Sequence, residues 1–259
     1  MAEIPFPKDD APTSEWVAYG ELRTAAVLQE ELAGYFDLTG DVVDAAGPLV
    51  ECISDHPGPR AAIHVGALIL ARIMSDLGAC VQLLRSGYAA QAISLVGTML
   101  ELSHVLTYIG NDETRAAEWM AWDKPTKSYP GPLIETINAN SATFGADDAT
   151  ARREYEEIYR HICQVKHGNT LAIHLPNTAV FENLECIVIG PLVTESVVRL
   201  GHAAALWATR YAILAEVAFT RFHVPCDRAA EMLAQQSELA TRHEVLAKAS
   251  IQRFPNKQV

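Results

Sequence analysis

Two apolar stretches, 60–85 and 88–109, separated by little more than Ser86-Gly87, constrain this chain more than any other feature. In the first, Ile63, Leu68, Ile69, Ile73, Leu77, Cys80, Val81 and Leu84 recur at helical spacing, so a broad face must be buried. The turn signal Asp55-His56-Pro57-Gly58-Pro59 precedes it, and Gly87 follows as a residue that takes up the left-handed conformation ending a helix. The second repeats the pattern through Ala92, Leu95, Val96, Met99, Leu102, Val105 and Leu106 and stops at Gly110-Asn111. So tight a turn makes the two helices antiparallel, with facing stripes that bury each other. Each fully buried Leu or Ile contributes roughly 1.5–3 kcal/mol, which gives the pair enough apolar area to dock other elements. The expectation is an all-α protein, a helical bundle built on this antiparallel hairpin as its centre.

The rest of the chain reads as helices around that hairpin. Residues 1–12 form a flexible, Pro-bearing lead, and 13–259 a single domain without repeats or a clean linker. Thr13 or Ser14 caps a first helix that ends near Gly40, and a second helical piece, 42–54, is interrupted at Gly47-Pro48. A short helix at 112–122 leads into the breaker run 124–132, a loop suited to face a substrate, and helices follow at 133–144 and from Asp147 or Asp148 to about Lys166. Residues 170–189 break the pattern, and Leu171–Leu175 with Glu185–Ile189 suit a short β-hairpin. A long helix from Pro191 to His223 and a more polar one at 227–252 complete the chain.

Charge and cysteines narrow the function classes. With 20 Lys+Arg against 32 Asp+Glu, the formal charge of −12 repels phosphate backbones and anionic membranes and disfavours nonspecific DNA coating. A local basic pocket for RNA remains compatible, because salt screens distant charge over about 8 Å. Five widely spaced cysteines without a C-x-x-C pair read as reduced thiols in a cytoplasm. Neither Ala61–Ala71, which is short, nor Pro191–Phe219, which carries Glu195, Arg199, His202, Arg210 and Glu216, suits a membrane span; both read as buried core helices. No phosphate-cradling loop, dinucleotide fingerprint or G-x-S-x-G element is present, so no cofactor is implied.

The segment from Tyr155 to Asn169 gathers the chemistry. Arg160 and His167, seven positions apart, lie within about 20° of each other on a helix, with Cys163 and Gln164 along the same side. His161, Gln164, Lys166 and Asn169 stand beside them as supporting or substrate-binding candidates. A metal site is disfavoured: His161, Cys163, His167 and His174 share a short window, but His161 points away from the Cys163–His167 side and no H-E-x-x-H helix occurs. His64, His104 and His202, inside apolar helices, read as hydrogen-bonded core histidines, and Asp76, Glu101, Glu195 and Arg199 as members of buried or interfacial ion pairs rather than acid and base. The structural alternative for Arg160 is pairing with Glu156 or Glu157, with His167 capping a helix that ends at Gly168-Asn169.

Arg160-His161-Ile162-Cys163-Gln164-Val165-Lys166-His167 resembles the signature of the HEPN (higher eukaryotes and prokaryotes nucleotide-binding) superfamily: Arg, a polar follower, four to six intervening positions, then His at a helix end. The stretch from Leu83 to Glu101 is similar to the antiparallel helix pair of a bacterial helical branch of that superfamily, except that Gly97 stands where an Arg is often found four residues before the Glu. The resemblance implies a metal-independent ribonuclease, a bacterial toxin or defence effector. His167 would take the proton of a ribose 2′-hydroxyl and Arg160 would neutralise the scissile phosphate, across a homodimer that concentrates positive charge. The competing expectation is a noncatalytic helical module that binds a protein or ligand through 124–132 and 170–189, with Trp119 and Trp122 as anchors.

Overall fold

The structure is a computed structural model that describes residues 6–8, 10–51, 61–122, 136, 148–166, 178–181, 184–187 and 190–254. The described helices are α1 (Thr13–Glu31), α2 (Ala33–Glu51), α3 (Ala61–Arg85), α4 (Ala89–Ile109), α5 (Glu113–Met120), α6 (Asp148–Lys166), α7 (Glu195–His223) and α8 (Cys226–Arg253). Between α6 and α7, strands β1 (Thr178–Phe181) and β2 (Leu184–Ile187) pair antiparallel, with Thr178 opposite Ile187 and Phe181 opposite Leu184. The all-α expectation holds, with a short hairpin inside 170–189. Its first strand is 178–181, while 171–175 falls outside the described residues. The turn at 55–59, the loop at 124–132 and the helix at 133–144, apart from Thr136, also fall outside them.

The α3–α4 hairpin forms as its periodicity requires. Gly87 adopts φ +89°, a conformation costly for a residue with a Cβ, and Tyr88 N–H donates to the Leu83 carbonyl to close the turn. Asp112 caps α5, accepting from the backbone N–H groups of Thr114 and Arg115. Glu113 in turn accepts from Ala61 N–H and Ala62 N–H, so the carboxylate of one helix satisfies the orphan donors that begin another.

At the structural centre the hairpin is joined by α7. It packs against α4, α3, α8, α2 and α1, and from Val197 to Thr220 most of its side chains are buried. A helix apolar on nearly every side must be surrounded, and the alanine-rich run Ala203–Ala205 lets neighbouring helices approach closely. By length and composition α3 and α4 are long and apolar enough to cross a membrane, and both lie against other helices of the bundle, α4 more completely than α3. The eleven-residue stretch from Ala61 is therefore only the opening of a 25-residue helix.

Two boundaries depart from the periodic reading. The first helix breaks at Leu32 instead of Gly40, because Leu28 and Leu32 are drawn into the core beside Gly201. A Cβ at Gly201 would lie 2.7 Å from Leu28 Cδ2 and 3.5 Å from Leu32 Cδ1, so the absence of a side chain sets how closely α1 meets α7. Helix α2 then runs through both Gly40 and Pro48. Pro48 lies in its last turn, so the N–H bond it removes, to the Asp44 carbonyl, falls where only three residues of helix remain. The N-cap position of α1 belongs to Pro12, without a side-chain cap, not to Thr13 or Ser14.

Gly66 fixes the α3–α7 approach. A Cβ there would meet His223 Nε2 at 2.7 Å and Leu106 Cδ1 at 3.4 Å. Gly66→Ala is expected to lower stability, because overpacking costing about 1–3 kcal/mol outweighs a helix-propensity gain of about 1 kcal/mol. Urea unfolding checks this; a variant as stable as the parent would show that the seam yields freely.

Candidate functional site

Helix α6 lies against α4, and its inner face is set by Tyr155, Ile158 and Ile162, of which Ile162 is fully buried. Steps of about 100° per residue place Arg160 on the opposite, solvent side, and it is exposed. Among the described residues it forms no ion pair; the nearby carboxylate of Glu156 goes to Arg152 instead, at 3.5 Å. The pairing of Arg160 with Glu156 that would have made it a structural residue is therefore not formed. Gln164 is half-buried beside it, Lys166 is the last residue of the helix, and His167 and Asn169 fall outside the described residues.

His161 does not join Arg160. It turns toward α7, with its ring edge-on to Trp207 at 5.7 Å between centroids and its Nε2 buried without a hydrogen-bond partner among the described residues. Burial, and secondarily the charge of Arg199, lowers its pKa and keeps the ring neutral. His161, the polar follower of Arg160 in sequence, thus lies on the α7 side of the helix while Arg160 lies on the solvent side.

Between the buried face and Arg160 runs an aromatic column that sequence reasoning missed. The Tyr155 ring stands edge-on to His104 of α4 at 5.1 Å, and Tyr159 stacks on Tyr155 at 5.7 Å with an interplanar angle of 9°. A hydrogen bond with Cys163, then burial, raises the Tyr159 phenol, and burial is the main cause of the same shift in Tyr155. Glu101 of α4 is close enough to add its charge to both. The i, i+4 spacing of Tyr155, Tyr159 and Cys163 was the available signal.

A second polar assembly lies across the bundle. Ser250 Oγ is 3.1 Å from the Tyr35 hydroxyl and 2.9 Å from His202 Nδ1, while His202 Nε2 is 3.4 Å from Glu31 Oε2 and Arg253 reaches Glu31 Oε1 at 3.3 Å. The order of groups is that of a serine, a base and an orienting carboxylate. Here, though, Ser250 and Tyr35 are both buried and the Phe254 ring stands over His202 at 5.3 Å, so no acyl group could reach the hydroxyl. The assembly joins α8 to α1, α2 and α7. His202 thus fits the hydrogen-bonded core reading, as does His104, whereas His64 is exposed. Asp76 pairs with Arg72 at 2.9 Å, and Trp119 of the supposed docking surface packs partly into the core. Among the described residues no three His, Cys, Asp or Glu side chains gather as a metal site.

No protein family, no curated protein and no solved structure matches this chain.

Proposed function

We propose that this protein is a metal-independent endoribonuclease of HEPN-like type, with Arg160 and His167 as its working pair. The observation that carries the reading is Arg160: a guanidinium on the solvent side of α6, two turns from the helix end, without a carboxylate on it among the described residues. An exposed, unpaired Arg retains all five donors for a phosphate, and the α3–α4 hairpin against which α6 lies fits the helix pair that the sequence resembles. His167, seven residues on, supplies the base. It takes the 2′-hydroxyl proton, the 2′-oxygen attacks phosphorus, and the 5′-oxygen leaves, giving a 2′,3′-cyclic phosphate. Arg160 neutralises the charge that grows on the non-bridging oxygens. The partner in this reading is single-stranded RNA, and a second copy of the chain would bring a second Arg160 to offset the acidic surface.

Purified protein is expected to cut RNA in the presence of EDTA and to leave cyclic-phosphate ends. Arg160→Ala and His167→Ala should each reduce the rate by about 100-fold or more, the usual range for a lost general base or charge stabiliser. Parent-level cleavage by His167→Ala would remove this reading, and a binding-only helical module would take its place.

A further inference from the structure

The face of α6 next to Arg160 holds two features that the cleavage chemistry leaves unused. The first is the His104–Tyr155–Tyr159 column, whose outermost ring, Tyr159, is 38% exposed and immediately precedes Arg160. A tyrosine with its ring backed by another ring presents a rigid π surface at little entropic cost, as proteins that bind single-stranded nucleic acid use to stack bases. The second is Glu101. It is half-buried on α4 one turn before His104, whose ring meets Tyr155, and among the described residues it has neither a hydrogen bond nor an ion pair. Both of its oxygens are therefore left as acceptors for a ligand that brings donors.

We propose that Tyr159 and Glu101 form a guanine subsite beside Arg160, an inference that deepens the ribonuclease reading and rests on it for the identity of the neighbouring phosphate. Consecutive Cα atoms lie about 3.8 Å apart, so a base on Tyr159 and its phosphate on Arg160 fit within one nucleotide. An ionised carboxylate only accepts hydrogen bonds, through two oxygens. Guanine alone among the four bases offers two adjacent donors on its Watson–Crick edge, N1–H and N2–H, and so pairs with both oxygens at once. Adenine, cytosine and uracil each bring one donor to that edge and leave the second oxygen facing a carbonyl, a ring nitrogen or a C–H group.

The test uses the full chain and 2′-O-methyl heptanucleotides, which cannot be cleaved by 2′-hydroxyl attack: a uridine strand with a central G, A, C or U, followed by fluorescence anisotropy at low salt. The G strand is expected to bind about 10-fold tighter than the other three, the discrimination that a bidentate base contact provides. Glu101→Gln, nearly isosteric, should erase the preference while leaving overall affinity within about 3-fold, since stacking supplies most of it. Tyr159→Leu should weaken all four strands by about 10-fold or more, whereas Tyr159→Phe, which keeps the ring, should bind like the parent. Thermal melts of each variant confirm that the fold persists. Equal affinity for all four strands, no binding to any, or an undiminished G preference in Glu101→Gln would overturn the subsite. Failure of the parent protein to cut ordinary RNA in EDTA would instead defeat the ribonuclease reading while leaving guanine-selective binding standing, so the two failures are separable.

Discussion

On acidification from pH 6.5 to pH 4, two buried imidazoles are expected to take about 5 kcal/mol from the native state, offset in part by the buried Glu216, whose contribution runs the other way. Burial pushes both His104 and His243 down to about 4 from an ordinary 6.5. Hydrogen bonds to the Thr136 backbone and the Leu206 carbonyl oppose this only in part. His243 is fully buried and donates from Nε2 to the Leu206 carbonyl at 3.0 Å; His104 lies between α4 and Tyr155 and is only 6% exposed. The unfolded chain takes up a proton at each ring below pH 6.5, and the folded chain cannot do so until pH falls to about 4. Stability therefore falls with pH across that window by about 1.4 kcal/mol per pH unit for each ring. Chemical denaturation at a series of pH values should show this slope, and His243→Leu should remove about half of it while costing little at pH 8. An unchanged slope in that variant would assign the acid lability elsewhere.

The second large effect has the opposite sign. Glu216 stands in the middle of α7 with no exposed surface, and neither carboxyl oxygen has a hydrogen-bond partner among the described residues. Burial raises its pKa well above the ordinary carboxylate value, which favours the neutral acid in the core. Below pH 4.5 both folded and unfolded chains carry it protonated. As pH rises past that value the unfolded chain ionises the group and gains its solvation, while the folded chain does not, so native stability declines. Glu216→Leu is accordingly expected to be more stable than the parent by about 1–3 kcal/mol near neutrality. That corresponds to a Tm about 2–4 °C higher per kcal/mol. The gap should narrow below pH 4.5, where the ionisation-linked part is gone and only the cost of burying the unpartnered neutral acid remains. A variant destabilised at every pH would mean that the carboxyl group serves a contact the core depends on.

Glu216 is one of a series. His202, Thr209, Glu216 and His223 recur every seven residues on α7, and all four are buried. A straight helix drifts about 20° per heptad, so they form a single slowly turning stripe inside the core. His202 reaches Ser250, and Thr209 donates to the Ala205 carbonyl beside Thr39; next to the stripe, Thr220 accepts from Gln236. The stripe ends with His223 at the Gly66 approach. The bonds from His202 to Ser250 and from Gln236 to Thr220 restrict which face of α8 can meet α7, since a shifted register would leave these groups among aliphatic side chains.

The sequence pattern carried the parts of the fold that local chemistry decides. The α3–α4 hairpin follows from 3.6-residue periodicity and a left-handed glycine, and the span of α6 from an acidic start and a run of helix formers. What it could not carry depends on distant partners. The break falls at Leu32, a residue packed against Gly201 far along the chain, and Gly40 and Pro48 pass unnoticed inside α2 because packing outweighs propensity there. The charged and polar residues of α7 pointed to a buried core helix but concealed that this helix is the hub. At the candidate site the solvent-facing placement of Arg160 and the inward turn of His161 were both within reach of helical angles measured from Ile158 and Ile162. The meeting of Glu101 with Tyr159 was not, because it depends on the register between α4 and α6.

The late position of the hub bears on how the molecule is made. Helices α1 to α4 leave the ribosome well before residue 195, yet the faces they must cover wait for α7. Until it emerges, the hairpin displays the part of its apolar surface that α7 covers. Cooperative folding is thus postponed until α7 has been made, and any chain released before that point carries an unsheltered core, making it a substrate for chaperones and proteases rather than a smaller working version of the protein.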